Sequence, residues 1–275
     1  MVATGTDDAP DDPDYWRWSG TAVAAPLVSG AAALVWEAFP WFDNDLVRQT
    51  ILGTATDIGP AGVDEIFGHG VLNVGAAVKG PGRFDWGTVT ADFNDAHSSW
   101  DNDISGDGGL VKRGSGTLEL SGINSYGGAT RVEGGKLDVS GVLSRSDVTI
   151  GAAGTLGGGG RVAGDVANSG VLALDAGDGF TIEGDYSQGA GAVLAVTLGH
   201  GHLDVGGDAS IDGGVVRVTG VRDGYVHRDR EQIVAVEGEL DGLFHPVVDF
   251  DDEVLFFQGS LAYDLANNVW LEIDR

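Results

Sequence analysis

The pattern of hydrophobic and polar positions changes its period once along the chain. Residues 23–36 form an almost unbroken apolar run, and residues 46–52 place apolar side chains at helical spacing. Beyond residue 81, short segments alternate apolar and polar side chains between glycines, as in residues 117–120 (Thr-Leu-Glu-Leu) and residues 136–139 (Lys-Leu-Asp-Val). The pattern predicts two helices near the N-terminus, followed by strands that each have one buried face.

The first predicted helix is apolar on nearly all sides, which is typical of a buried helix. A signal peptide is disfavoured because the residues before the run are acidic, whereas a signal peptide begins with a basic segment. A membrane span needs about 20 apolar residues, and this run is shorter and contains Pro26, Ser29 and Gly30. If the sheet that should cover this helix is missing, the helix exposes a large apolar face that favours docking or aggregation. For the second helix, Asp43–Asp45 supply a cap at the start and Gly53 is predicted as the C-cap.

The strand-rich part repeats a simple unit of strand, glycine turn and strand. Units occur at residues 110–122, 129–141, 147–156 and 165–174. A recurrence of about 20 residues indicates a solenoid, in which each unit buries its apolar face against its neighbours. The predicted fold is therefore mainly β, a right-handed parallel β-helix, and an antiparallel sandwich is the alternative.

Residues 19–26 (Ser-Gly-Thr-Ala-Val-Ala-Ala-Pro) resemble the nucleophile motif of subtilisin-like serine proteases, Gly-Thr-Ser-Met-Ala-Ala-Pro, which precedes an apolar helix. Residues 68–78 (Gly-His-Gly-Val-Leu-Asn-Val-Gly-Ala-Ala-Val) resemble the closing segment of the same domain. The resemblance implies that residues 1–80 are the helical C-terminal remnant of an α/β subtilase domain.

The same resemblance identifies no intact catalytic residue. Ala22 stands where the family has its serine, flanked by Gly20, Thr21 and Pro26. The family's Asp and His precede the serine in the chain, yet no histidine precedes Ala22. The chain is therefore predicted to be inactive as a protease, and the hydroxyls of Ser19 and Thr21 are interpreted as turn and helix-start groups.

Residues 102–130 resemble the passenger-associated strand repeat of bacterial autotransporters. That repeat reads Gly-Gly-Leu-x-Lys-x-Gly-x-Gly-Thr-Leu-x-Leu-x-Gly-x-Asn-x-Tyr-x-Gly-x-Thr, and the chain follows it in order. The predicted organisation is a subtilase part at residues 1–80, a junction at residues 81–100 and a passenger β-helix at residues 101–275. The resemblance implies a parent at the bacterial outer membrane or outside the cell, held in the membrane by a β-barrel. We expect this chain to lack both the signal peptide and that barrel.

Composition narrows the possible partners. With 15 basic and 42 acidic residues the formal net charge is −27, which excludes nucleic-acid binding through clustered Lys and Arg. The charge also disfavours adsorption to anionic lipid and favours solubility, and such acidity is typical of proteins from salty habitats. The chain has no cysteine, as suits a protein exported unfolded. No calcium-loop spacing occurs, so no metal or cofactor is predicted.

Three hypotheses of function remain open from the sequence. The chain is part of a subtilisin-like serine endopeptidase autotransporter and is itself inactive. Alternatively it is a structural or adhesive β-helical stalk, or a non-cutting pseudoprotease that binds a peptide or protein substrate. Asp and His motifs upstream would favour the first or third hypothesis, and their absence the second.

Overall fold

The structure is a computed structural model that describes residues 2–4, 15–17, 19–222, 229–251 and 258–274. The chain divides into two compact units, Met1–Gly80 and Pro81–Arg275. Each unit is described separately below.

The first unit contains a short antiparallel strand pair and three helices. The strands are β1 (Val2–Thr4) and β2 (Tyr15–Arg17), and the helices are α1 (Thr21–Ala38), α2 (Asn44–Gly53) and α3 (Val74–Ala77). Asp43 caps α2, since its Oδ1 accepts a hydrogen bond from the Leu46 N–H at 2.8 Å. The predicted C-cap Gly53 is the last residue of α2, and Thr54 is the C-cap in a right-handed helical conformation.

The predicted apolar helix forms, but most of it is not buried. Within α1 only Ala31 and Val35 are buried, while Leu27 is 51% exposed. The burial expected from its composition is thus wrong for this unit, whereas the expected apolar exposure is confirmed. By length and composition α1 is the one helix in the described residues that could cross a membrane, a weak indication because core helices pass the same test.

A small core forms where the C-terminal end of α1 meets the other helices. Phe39 and Phe42 are buried and stack with ring centroids 4.5 Å apart. The indole N–H of Trp36 donates to the Phe42 carbonyl at 2.9 Å, which fixes the turn between α1 and α2. This core is small, so α1 and α2 depend on few apolar contacts.

The second unit is a parallel β-solenoid of three sheets with eight strands each. The first sheet contains β3 (Val89–Asp92), β5 (Leu110–Arg113), β8 (Thr130–Val132), β11 (Val148–Ile150), β14 (Val166–Asn168), β17 (Tyr186–Gln188), β20 (Ala209–Asp212) and β23 (Leu240–Leu243). The second contains β4 (His97–Trp100), β6 (Thr117–Leu120), β9 (Gly135–Val139), β12 (Gly154–Gly157), β15 (Val171–Leu174), β18 (Val193–Leu198), β21 (Val215–Val221) and β24 (Asp249–Phe250). The third contains β7 (Ile123–Asn124), β10 (Val142–Leu143), β13 (Arg161–Val162), β16 (Gly179–Ile182), β19 (His202–Val205), β22 (Arg230–Val236), β26 (Asn268–Asp274) and β25 (Gln258–Tyr263).

The strand pairing confirms the predicted parallel β-helix and argues against the sandwich. Each coil strand pairs in parallel with the equivalent strand of the next coil, and antiparallel pairing in the described part of this unit joins β26 to β22 and to β25. Successive partners on the first sheet are Val89, Leu110, Thr130, Val148, Val166, Tyr186, Ala209 and Leu240. The coils therefore hold 18 to 23 residues up to Ala209, as the repeat predicted, and the last coil is longer.

The core of the solenoid is a stack of aliphatic side chains along its axis. On the second sheet Leu118, Leu137, Leu156, Leu172, Leu194 and Val216 are register partners, and none is exposed. The alternation seen in the sequence places these side chains inside and their neighbours outside. The first coil includes β3 and β4, so coil structure begins within the segment predicted as a junction.

A ladder of acidic side chains joins successive coils along one corner. In each step a carboxylate oxygen accepts the backbone N–H of the equivalent residue in the next coil, at 2.8–3.0 Å. The acceptors are Asp147, Asp165, Asp185 and Asp208, and the donors are Asp165, Asp185, Asp208 and Glu239. Glycine precedes each donor because the space is taken: a Cβ on Gly184 would lie 2.4 Å from the Asp165 carboxylate oxygen.

This ladder predicts a difference between two substitutions of Asp185. Asp185→Ala removes the acceptor for the Asp208 N–H, and we expect a loss of about 1 kcal/mol relative to Asp185→Asn, which keeps an acceptor oxygen. Urea denaturation of the two variants measures the difference. Because both variants lose the same charge, equal stabilities would contradict a stabilising role for the hydrogen bond that Asp185 accepts from the Asp208 N–H.

Candidate functional site

The predicted nucleophile position lies at the exposed start of α1. Gly20 precedes the helix with φ 132°, a conformation that favours glycine, and its carbonyl accepts the N–H groups of Val23 and Ala24 at 3.1 Å. Thr21 and Ala22 are the first two helical residues, and both are exposed. No side chain among the described residues caps this end. A serine at Ala22 would thus be accessible at the positive end of the helix dipole.

Pro26 lies inside α1, within its second turn. Proline has no N–H to donate to the Ala22 carbonyl four residues earlier, so the helical ladder is interrupted there. The next polar side chain, Ser29, donates to the Ala25 carbonyl at 3.3 Å. Its hydroxyl bonds the helix backbone, which is the usual structural role of serine in a helix.

The described histidines are distributed over both units. His69 lies in the loop between α2 and α3, whereas the solenoid holds His97, His200, His202 and His245. On the solenoid, Nε2 of His97 is 3.3 Å from Glu119 and Nε2 of His202 is 2.9 Å from Asp204. His227 lies outside the described residues.

Between α1 and α2 lies an apolar groove with a volume of about 320 Å³. Its lining includes Val28, Trp36, Val47 and Ile51. Within the described part of the chain, no group of three or more His, Cys, Asp or Glu side chains is placed to hold a metal ion.

The repeat pattern of the second resemblance covers residues 108–130, which form one coil from β5 to β7 and end at Thr130, the first residue of β8. Its alternate residues point inward: Leu110, Leu118 and Leu120 are fully buried. Its glycines allow close approach between coils, since a Cβ on Gly128 would lie 2.5 Å from the backbone of Gly108. We call residues 108–130 the motif coil.

Polar residues of the motif coil are buried and hydrogen-bonded. The Asn124 Oδ1 accepts the Ile104 N–H at 3.2 Å, and its Nδ2 donates to the Gly122 carbonyl at 3.0 Å. The Tyr126 hydroxyl is 2.7 Å from the Thr130 hydroxyl, which is 2.8 Å from Ser146 of the next coil. Burial raises the pKa of Tyr126, and its hydrogen bonds to Thr130 and Ser146 only partly offset this.

Sequence reasoning missed a second buried polar cluster further along the solenoid. The Asn168 Nδ2 donates to the Tyr186 hydroxyl at 3.2 Å, and that hydroxyl donates to the Gln188 Oε1 at 2.5 Å. Burial also raises the pKa of Tyr186. A polar residue at an inward position of a strand, as at Asn168, is the signal that could have found it.

Two family models match the sequence, one in the helical unit and one in the solenoid. The subtilase family matches residues 3–70, which include α1 and α2, and the passenger-associated-transport-repeat matches residues 110–139, from β5 to β9. The chain joins a subtilase-family segment to an autotransporter passenger repeat.

The chain is also similar to three bacterial proteins. The chain is 43% identical to the Neisserial autotransporter lipoprotein NalP of Neisseria meningitidis serogroup B over 141 residues, which are 50% of this chain and 13% of that protein. It is 37% identical to an extracellular serine protease of Serratia marcescens over 187 residues, 55% of this chain and 18% of that protein. It is 34% identical to serotype-specific antigen 1 of Mannheimia haemolytica over 128 residues, which are 45% of this chain and 13% of that protein. The chain spans less than a fifth of the length of each relative.

The subtilase-family segment predicts a clear outcome for Ala22→Ser. The new hydroxyl needs a neighbouring base to become nucleophilic, and no histidine precedes position 22. We expect the purified Ala22→Ser chain to hydrolyse fluorogenic casein no faster than the matched Ala22→Gly chain. Hydrolysis by Ala22→Ser alone would show that a base is present and contradict the prediction.

The buried tyrosines of the passenger part predict sensitivity to alkali. Their pKa values are raised above the ordinary value of 10 in the folded chain, so folding retains protons that the unfolded chain releases. Their contribution to stability is therefore present below pH 10 and lost as the pH rises above it. Urea denaturation of the wild type and of Tyr126→Phe at pH 9 and pH 11 tests this: the loss should be smaller in the variant. An equal loss would contradict the assignment to Tyr126.

Proposed function

We propose that the chain is part of a secreted or cell-surface subtilisin-like serine endopeptidase autotransporter, and that the chain itself does not cleave peptide bonds. One observation carries the proposal: a subtilase-family helix with Ala22 at the serine position is followed in the same chain by a β-solenoid that contains a passenger motif coil. Similarity to an autotransporter lipoprotein and to an extracellular serine protease supports the proposed location at or outside the cell surface.

The proposed inactivity follows from the chemistry of Ala22. A methyl group has no lone pair to attack a carbonyl carbon, so the covalent step of serine proteolysis cannot occur at this position. The features around it fit the family pattern, because Gly20 opens the helix and Pro26 follows at the family's spacing. The segment therefore keeps the family's sequence pattern at this point without its reactive group.

The solenoid supports a mechanical role within such a passenger. Three sheets share one continuous aliphatic core, and every coil is hydrogen-bonded to the next. A structure built from nearest-neighbour contacts lengthens coil by coil and can therefore serve as an extended support. This observation favours the structural or adhesive stalk as the second candidate function. The exposed, accessible start of α1 favours the pseudoprotease alternative, in which a substrate is bound and not cut.

Cell fractionation tests the proposed location. An antibody against residues 180–275 should detect, in source cells, a band well above 28.3 kDa in the outer-membrane or medium fraction. A cytoplasmic marker probed on the same blot controls for lysis. A band near 28.3 kDa in the cytoplasm would contradict the proposal.

A substitution in the protein as the source cells produce it distinguishes the pseudoprotease from the stalk. Ala22→Ser, made in the protein as the cells produce it, should gain peptidase activity if the remaining machinery is intact, with Ala22→Gly as the matched control. A gain identifies a pseudoprotease that lost only its nucleophile. The absence of a gain favours the stalk.

A further inference from the structure

The strand β25 ends the third sheet, and one of its edges is open. It pairs with β26 over six residues without a register shift, and no strand of the described residues pairs with its other edge. The other strands at the ends of the three sheets, β3, β4, β7, β23 and β24, have two to four residues. A longer edge strand is a template for another strand unless charges, proline or a bulge block it. Residues 258–263 (Gln-Gly-Ser-Leu-Ala-Tyr) contain none of these.

The hairpin turn between β25 and β26 shows which backbone groups face the open edge. The Asp264 N–H donates to the Asn268 carbonyl at 3.2 Å, so these two residues form a hydrogen-bonded pair of the antiparallel ladder. Such pairs alternate along a ladder. Residues 258, 260 and 262 therefore direct their N–H and C=O groups toward β26, whereas residues 259, 261 and 263 direct theirs to the open edge.

The apolar side chains of β25 are only partly covered. Leu261 and Tyr263 lie on the inner face of the sheet and are half-buried, whereas their register partners Leu271 and Val269 on β26 are fully buried. The outer face of β25 carries the uncharged side chains of residues 258, 260 and 262. A strand added at this edge would bond its free backbone groups and also cover the two inner side chains.

We propose that the added strand is β25 of a second copy of this chain, paired antiparallel about a twofold axis at Leu261. Leu261 then lies opposite Leu261 of the second copy, and Gly259 lies opposite its Tyr263. Because residues 259, 261 and 263 of each copy all face the axis, every free N–H in the pair meets a carbonyl. The two leucines extend the aliphatic core, and an aromatic ring opposite a glycine stabilises an edge strand.

The net charge of −27 opposes the association of two copies, but the paired strands themselves carry no charge. On the neighbouring strand β26, Glu272 and Asp274 are exposed. The β26 strands of the two copies would be three strand spacings apart, about 14 Å. This separation exceeds the screening length of about 8 Å at physiological ionic strength. Repulsion is therefore weakened by salt, and the dimer should become more stable as the salt concentration rises.

Sedimentation equilibrium of the full chain at about 0.05 M and about 0.5 M NaCl tests the dimer. The mass should approach twice 28.3 kDa with rising concentration, and at lower concentration in the higher salt. Leu261→Pro removes an N–H at the open edge and places a ring there, while the matched Leu261→Ala keeps the N–H. The dissociation constant of the proline variant should exceed that of the alanine variant at least about tenfold. A wild-type chain that stays monomeric, or equal dimerisation of the two variants, would overturn the proposal.

Cysteine cross-linking locates the axis and decides the question if Leu261→Pro does not fold. The chain has no cysteine, and residues opposite each other in a hydrogen-bonded pair have Cα atoms about 5.5 Å apart, within disulfide range. Mild oxidation should therefore convert Leu261→Cys into a covalent dimer but leave the matched Ser210→Cys, exposed on the first sheet, monomeric. Leu27→Asp, on the exposed face of α1, should dimerise like the wild type. Equal cross-linking of both cysteine variants, or loss of the dimer in Leu27→Asp, would contradict pairing through β25.

Discussion

Hydrogen bonds between the parallel strands of successive coils are the interaction on which the solenoid depends. Each strand is short, as β7 and β10 show with two residues, and an isolated pair of such strands has little stability. Stacking supplies the missing stability because every coil satisfies the backbone of the one before it and extends the same aliphatic core. Each coil is therefore stabilised by the coils on either side of it. The third sheet ends in the antiparallel strands β26 and β25.

Polar side chains fix the register of this stack. A purely aliphatic core tolerates sliding, whereas a buried amide or hydroxyl must reach a particular partner. Asn124 bonds the backbone of the preceding coil at Ile104, and Thr130 bonds Ser146 of the next one. On the outside, the acidic ladder repeats the same device at each step from Asp147 onward. Within the motif coil, the buried Lys112 amine adds hydrogen bonds to carbonyls of its own coil and of the next.

The helices of the subtilase-family segment, unlike the coils of the solenoid, are not stabilised by a repeated stack of neighbours. Its helix α1 carries apolar residues around most of its circumference, a pattern typical of a helix that is covered on several sides. In this unit the contacts with α2 and α3 cover only its C-terminal half, which leaves Leu27 and Val28 exposed. The segment therefore has local helix order without a large core, in contrast to the solenoid, where order and core extend together.

The sequence by itself determined the element types, the coil length and the family resemblances, because these depend on local periodicity. Alternation in residues 117–120 predicts a half-buried strand, and the apolar run from residue 23 predicts a helix without any knowledge of neighbours. Only the tertiary structure decided that the third strand of each coil exists, since two residues such as Ile123 and Asn124 are too short to show a period. It also decided the burial of Lys112 and the exposure of α1, because burial depends on which surface packs against a residue and not on the residue itself.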